Sequence, residues 1–201
     1  MSFVCTRLGG DQTGQPGEPV DSCMELKRLS RETLYRGKII DLLVDRVEYP
    51  SGNQTVREVA HHPGGATVLP LLDDGRILLV DQLRYPLEKH ILELPAGKLF
   101  PGEDPAACAA RELEEETGWI AGSLEKLCSF YTSPGFCDEE LHIFLGRRLR
   151  LSPDGHKREE GEFTMSIHMI PFQEALAMVK DGTIKDAKTI IGLLLASDLL
   201  S

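Results

Sequence analysis

The stretch from Asp104 to Gly118 constrains this chain more than any other part of it. Asp104 can cap a helix, Pro105 suits its first turn, and Gly118 stands where a helix would stop, so a helix is predicted over 105–117. Ala106, Ala109, Ala110 and Leu113 recur at helical spacing and predict a stripe for the core. Glu112, Glu115 and Glu116 also share one turn, on the other side. Local physics disfavours that cluster. Like charges at this spacing repel by about 0.2–0.5 kcal/mol per pair, and anions in the last turn oppose the macrodipole by about 0.3–1 kcal/mol each. A divalent cation reverses both penalties, since carboxylate, carbonyl and water oxygens together fill an octahedral shell. A solvated acidic face is the plainer reading.

The rest of the chain narrows the classes of function. A formal charge of -10 over 201 residues argues against a nucleic-acid or anionic-membrane partner, because both are bound through Lys and Arg. A phosphate-bearing small molecule then needs a local cation, Arg or metal. Five cysteines without C-x-x-C spacing argue against a disulfide framework or zinc ribbon. No segment has the length of a membrane span and none reads as a secretory signal, which makes the cytoplasm the expected location. Cys137 lacks a base partner, and no G-x-S-x-G, H-E-x-x-H or P-loop occurs. His61 and His62 precede Pro-Gly-Gly and read as part of a turn.

Residues 1–20 read as a flexible leader. Strands are predicted at 39–47 and 55–61, as a hairpin of 66–72 with 77–83 around Asp73-Asp74-Gly75, and at 90–94, 127–132, 140–147 and 164–170. The segment 95–104 reads as a loop, and 172–180 and 187–200 as helices. Strands with helices between and after them predict an α/β or α+β layered domain.

Gly97, Glu103, Arg111, Glu112, Leu113, Glu115, Glu116 and Gly118 stand as G-x5-E-x7-R-E-L-x-E-E-x-G. This pattern resembles the signature box of the Nudix hydrolases, with Trp119 where the family has an aliphatic residue. The resemblance implies an α/β/α sandwich with a mixed sheet, over 61–201, and metal-dependent hydrolysis of a diphosphate. It implies Glu112, Glu115, Glu116 and the Ala96 carbonyl as metal ligands, with Mg2+ expected and Mn2+ as the alternative. Glu115 is also counted among the catalytic groups. So is Arg111, as a partner of Glu103 that fixes a neighbouring carboxylate; a simple loop-to-helix salt bridge is the other reading. Related enzymes draw a general base from an acidic loop, here Glu159, Glu160 or Glu162, and Gly-Glu-Phe before an apolar strand favours Glu162.

Further residues resemble the ADP-ribose pyrophosphatase subfamily: Glu93-Leu-Pro-Ala-Gly-Lys98, Gln82-Leu-Arg-Tyr-Pro86, and Ser133-Pro134-Gly135, whose proline lies sixteen residues after Gly118. The resemblance implies ADP-ribose cleavage to AMP and ribose 5-phosphate. Arg57 and Arg84 are expected at phosphate or adenine, or in surface salt bridges. Glu93 and Glu139 are expected at ribose hydroxyls, and Ser133 and Pro134 beside the substrate. The antiparallel β extension over 21–60 is expected to swap across a homodimer. Another nucleotide sugar, such as GDP-mannose or a UDP-sugar, or a dinucleotide is the nearest alternative. A non-catalytic ADP-ribose sensor is more distant, because no box glutamate is missing.

Overall fold

The computed structural model describes residues 26–157 and 164–200. Among these residues ten strands and three α-helices, with a 3-10 turn at Tyr85–Leu87, follow in order: β1 (Lys27–Arg36), β2 (Asp41–Glu48), β3 (Gln54–His61), β4 (Gly65–Pro70), β5 (Arg76–Arg84), β6 (Lys89–Glu93), β7 (Ala96–Lys98), α1 (Pro105–Thr117), β8 (Trp119–Tyr131), β9 (Glu140–Leu151), β10 (Ser166–Pro171), α2 (Phe172–Lys180) and α3 (Ala187–Leu200). They form three sheets, ordered β1-β2-β3, β10-β5-β6 and β7-β4-β9-β8.

Strand β4 explains the layering. All six of its residues are buried, and it pairs in parallel with β9, which suits a strand covered on both faces. Side chains alternate across a strand. Val68 and Phe144 therefore pack with Ala109 and Leu113 of α1, while Leu69 and Leu145 pack with Leu193 and Ala196 of α3. One sheet is thus sandwiched between two helices, as the resemblance implied. Trp119, the departure from the box pattern, is half-buried against the α1 cluster.

Strand β1 precedes the first predicted strand, β8 begins at Trp119 and not near residue 127, and three further expectations change. The turn at Asp73-Asp74-Gly75 forms, with Leu72 N–H donating to the Arg76 carbonyl at 2.8 Å, but β4 and β5 then part into different sheets. Local turn chemistry fixed the reversal; partner choice came from burial of β4 on both faces. Strand β7 lies inside the segment read as a loop, held by register pairs with Gly65, Ala66 and Thr67. The buried side of α1 is also wider than expected. It holds Cys108, Ala109, Glu112, Leu113, Glu116 and Thr117, while Ala110 is exposed. Two of the three clustered glutamates are therefore built into the packing and are not on a wet face.

The helix ends match their signals. Asp104 accepts from Ala106 N–H at 2.9 Å and Ala107 N–H at 3.2 Å, and Gly118 closes the helix at φ 74°.

Candidate active site

One end of the site is built on α1 and β7. Arg111 is its hub. The guanidinium donates from Nε to Glu103 Oε1 (2.9 Å) and from Nη2 to Glu103 Oε2 (3.1 Å). Nη1 reaches both Glu112 Oε1 (2.6 Å) and Glu115 Oε2 (3.0 Å), and Nη2 also meets the Lys98 carbonyl (3.2 Å). The group stacks over Phe100, 4.4 Å from the ring centroid. The hydrogen bonds from Arg111 hold the Glu103 carboxyl below its ordinary range. Those to Glu103, followed by Glu112 and Glu115, raise the affinity of Arg111 for its proton. The Glu103–Arg111 pair expected from sequence is present.

Glu116 is buried and accepts from Ala96 N–H at 3.1 Å, which ties the helix to the strand carrying the box entrance. Gly97 shows why that entrance is a glycine. A Cβ there would overlap the Glu112 carboxylate far inside van der Waals contact. Nearby, burial, reinforced by the charges of Glu103 and Glu112, pushes the Cys108 thiol up to about 12, so it is packing and not a nucleophile.

Glu112, Glu115, Glu116 and the Ala96 carbonyl supply only hard oxygen donors, which fits Mg2+ or Mn2+ and not a thiophilic metal. Among the described residues, no three His, Cys, Asp or Glu side chains already converge on one point as a metal cage. Arg111 instead bridges two of the carboxylates, and the bare backbone of Gly97 leaves room for Glu112 beside it.

A second group of charges sits deeper. Glu93 is 1% exposed. Arg84 donates to it from Nε (2.5 Å, Oε1) and Nη2 (2.6 Å, Oε2), and Lys188 Nζ bonds the same Oε2. Lys188 also lies 3.0 Å from Asp186. Burial alone would raise the Glu93 carboxyl, but the Arg84 hydrogen bonds and the Lys188 charge carry it below its ordinary value. Glu93 and Arg84, both read from sequence as substrate contacts, are thus brought to each other. Lys188 was missed by the sequence reading. Asp186 does give a helix-start signal, accepting from Thr189 N–H at 3.0 Å, but no local pattern joins Lys188 to a carboxylate 95 residues away.

Glu139 accepts from Thr132 Oγ1 at 2.8 Å and lies 3.2 Å from His62 Nδ1. All three line the same cleft as the box glutamates, Arg84, Glu93 and Lys188, a space of about 850 Å3. Ser133 and Pro134 belong to the turn before Glu139 and do not line it; Ser133 carbonyl accepts from Phe136 and Cys137 N–H. Arg57 lies on β3, bonded to Tyr49 OH, and does not line it either. His61 ends β3 and bonds Asp138 at 2.6 Å, while His62, read from sequence as part of a turn, lines the cleft. Glu162, like Glu159 and Glu160, lies outside the described residues. A hollow of about 390 Å3 beside Asp81, His90 and His168 contains none of the expected site residues.

Comparison with known proteins agrees with this geometry. Residues 61–191 match the NUDIX domain, and residues 26–60 match the nucleoside diphosphate sugar hydrolase N-terminal domain. An ADP-ribose pyrophosphatase of Bacillus subtilis (strain 168) is 45% identical over 166 residues, 83% of this chain and 89% of the relative. A methanol dehydrogenase activator of Bacillus methanolicus is 42% identical over 167 residues, 83% of this chain and 90% of the relative. A solved structure of an ADP compounds hydrolase shares the fold at TM-score 0.76 and 20% identity, covering 88% of this chain and 94% of its own. The box sequence, the sandwich that displays it and these matches lead to one conclusion: the chain belongs to the Nudix hydrolase family.

Proposed function

We propose that this chain hydrolyses the diphosphate bridge of ADP-ribose, giving AMP and ribose 5-phosphate, with Mg2+ or Mn2+ held by Glu112, Glu115, Glu116 and the Ala96 carbonyl. Nudix hydrolases generally act with divalent metal ions. The observation that carries the reading is the meeting, in one cleft, of the carboxylate-rich end of α1 with the guanidinium of Arg84. The 45% identical relative named for ADP-ribose supports the substrate. A wider class of nucleoside diphosphate sugars is the second reading, favoured by the match of residues 26–60.

When bound, the cation neutralises charge on the phosphate oxygens and lowers the pKa of water. The protein's own groups do the rest. Arg111 holds Glu112 and Glu115 in place, and the Ala96 N–H does the same for Glu116. Arg84 offers the substrate a planar cation, with Glu93 as its anchor. Glu139, steadied by Thr132, takes the ribose hydroxyls, and Ser133 and Pro134 shape the loop behind it. Glu162 removes the proton of the attacking water. One P–O bond forms at the attacked phosphorus, and the bridging oxygen leaves with the other phosphate.

A homodimer that carries the extension of one copy onto the other accounts for Arg57, which does not line the cleft of its own chain. It also gives the exposed Leu34, Tyr35, Ile39 and Val56 an apolar partner. Light scattering on the purified chain reads this directly, and a monomer at working concentration refutes it. A cytoplasmic location goes with this reading, and no described helix is long and apolar enough to cross a membrane.

The decisive assay incubates the chain with ADP-ribose, GDP-mannose, a UDP-sugar and a dinucleotide, with Mg2+ or a chelator, in water carrying heavy oxygen. AMP release from ADP-ribose that the chelator abolishes is the expected result. Preference for another nucleotide sugar moves the assignment to the wider class. Glu162→Gln is expected to lose about 10²–10⁴ in kcat, and a loss under about tenfold removes it as the base.

A further inference from the structure

Helix α3 brings a buried ammonium to a wall of the cleft that the box does not build. The Lys188 side chain is 8% exposed, and its partners are Glu93 Oε2 and Asp186 Oδ1. Glu93 already has a cation. Arg84 engages both its oxygens through one edge of the guanidinium, Nε and Nη2. The remaining Nη1 donates to no described residue, and the Arg84 side chain, 39% exposed, lines the cleft. One edge of the fork is thus anchored, leaving the other for a ligand.

Burying an ammonium carries a desolvation cost that an apolar side chain of similar length would avoid. Packing alone does not explain a lysine here; sharing the charge of Glu93 does. With Lys188 present, Glu93 is tied down by a second cation while it grips Arg84 at two points, 2.5 and 2.6 Å. Without it, Glu93 loses its tie to α3, and with it the fixed position from which it holds Arg84. The same turn of α3 has a second tie to this wall, because Leu94 N–H donates to Thr189 Oγ1 at 2.8 Å.

We propose that Lys188 is a positioning residue for phosphate binding, which by sharing Glu93 sets where Arg84 presents its guanidinium to a substrate diphosphate. The inference rests on reading the cleft as a diphosphate site. It adds a residue from the C-terminal helix to that site.

The test compares full-length wild type with Lys188→Met, Lys188→Arg, Glu93→Gln and the Lys188→Met/Glu93→Gln pair, measuring KM and kcat on ADP-ribose and thermal unfolding. Lys188→Met is expected to raise KM about tenfold while kcat stays within about threefold, and Lys188→Arg to recover most of the difference. In the double variant neither Lys188 nor Glu93 is left as an unpaired buried charge, so its Tm recovers part of the loss, Asp186 and Arg84 each still lacking an ion-pair partner, while its KM stays high. A second cycle places Lys188→Met in an Arg84→Met background, where it adds less than about twofold if it acts through Arg84. Should Lys188→Met not fold, Lys188→Gln replaces it in both cycles. A wild-type KM in the double variant, or an undiminished effect in the Arg84→Met background, overturns the proposal. A folded wild type that cleaves no nucleotide sugar sinks the functional reading instead. The same variants are then compared by calorimetry with ADP, and an ADP Kd that Lys188→Met leaves unmoved overturns the role of Lys188.

Discussion

Two groups of charged side chains share this cleft and are built on opposite principles. Around Arg111 gather Glu103, Glu112 and Glu115, with Glu116 one turn on, so carboxylates outnumber the guanidinium at their centre. At the other wall, Glu93 and Asp186 meet Arg84 and Lys188, two anions for two cations. The second group is complete in itself and suits a fixed support. The first carries a surplus of negative charge at the C-terminal end of a helix, where the backbone adds more of the same sign. A surplus of that kind is what a divalent cation requires. Chemistry is therefore expected from the unbalanced group, and rigidity from the balanced one.

The largest expected effect falls on the unbalanced group. Glu116→Gln keeps an acceptor for Ala96 N–H but loses a charge, so kcat should fall about 10³-fold with the unfolding temperature nearly unchanged. An active Glu116→Gln at saturating Mg2+ would erase the distinction between the groups. The balanced group should respond in stability. Glu93→Ala leaves Lys188 and Arg84 without their shared partner and is expected to cost about 3 kcal/mol in urea unfolding, the low end for a broken buried pair because Arg84 is 39% exposed. Glu115→Ala should cost under about 1 kcal/mol, and equal costs would show that the two groups do not differ as described.

Gly97→Ala sharpens the comparison from the backbone. Its methyl would displace the Glu112 carboxylate, and a shift of that size is expected to lower kcat about 10²-fold. The smallest effect is on acid stability. Glu93 has a folded pKa held below the ordinary 4.5, so its contribution is whole above that value and is lost as pH falls through the lowered folded value. Stability of Glu93→Gln should therefore decline less steeply than that of wild type on the acid side of 4.5. Parallel curves would mean that folding leaves the proton affinity of the Glu93 carboxyl unchanged.

Helix α1 was legible from sequence almost to the residue, because its cap, proline and terminal glycine are local signals. The box glutamates were found the same way, since their spacing alone places them on one turn. What escaped depended on distant partners. Nothing in Asp73-Asp74-Gly75 says that the strands beside it will separate, and nothing around Lys188 points to Glu93. Strand β7 is three residues long and exists through its pairing with β4. The full buried width of α1 is not legible from spacing, because it takes Arg111, Ala96 N–H and the bare Gly97 backbone to bury Glu112 and Glu116.

The parting of β4 and β5 gives the cleft the mechanics of a caliper. One jaw, carrying the glutamates, hangs on the sheet of β4; the other, carrying Arg84, hangs on the sheet of β5. The pivot is a layer of aliphatic side chains behind the turn, among them Leu69, Leu71, Ile77 and Leu79. The separation of the box glutamates from Arg84 therefore rests on hydrocarbon packing behind the turn, and trimming Leu71 or Ile77 is expected to lower Tm and to shift KM together.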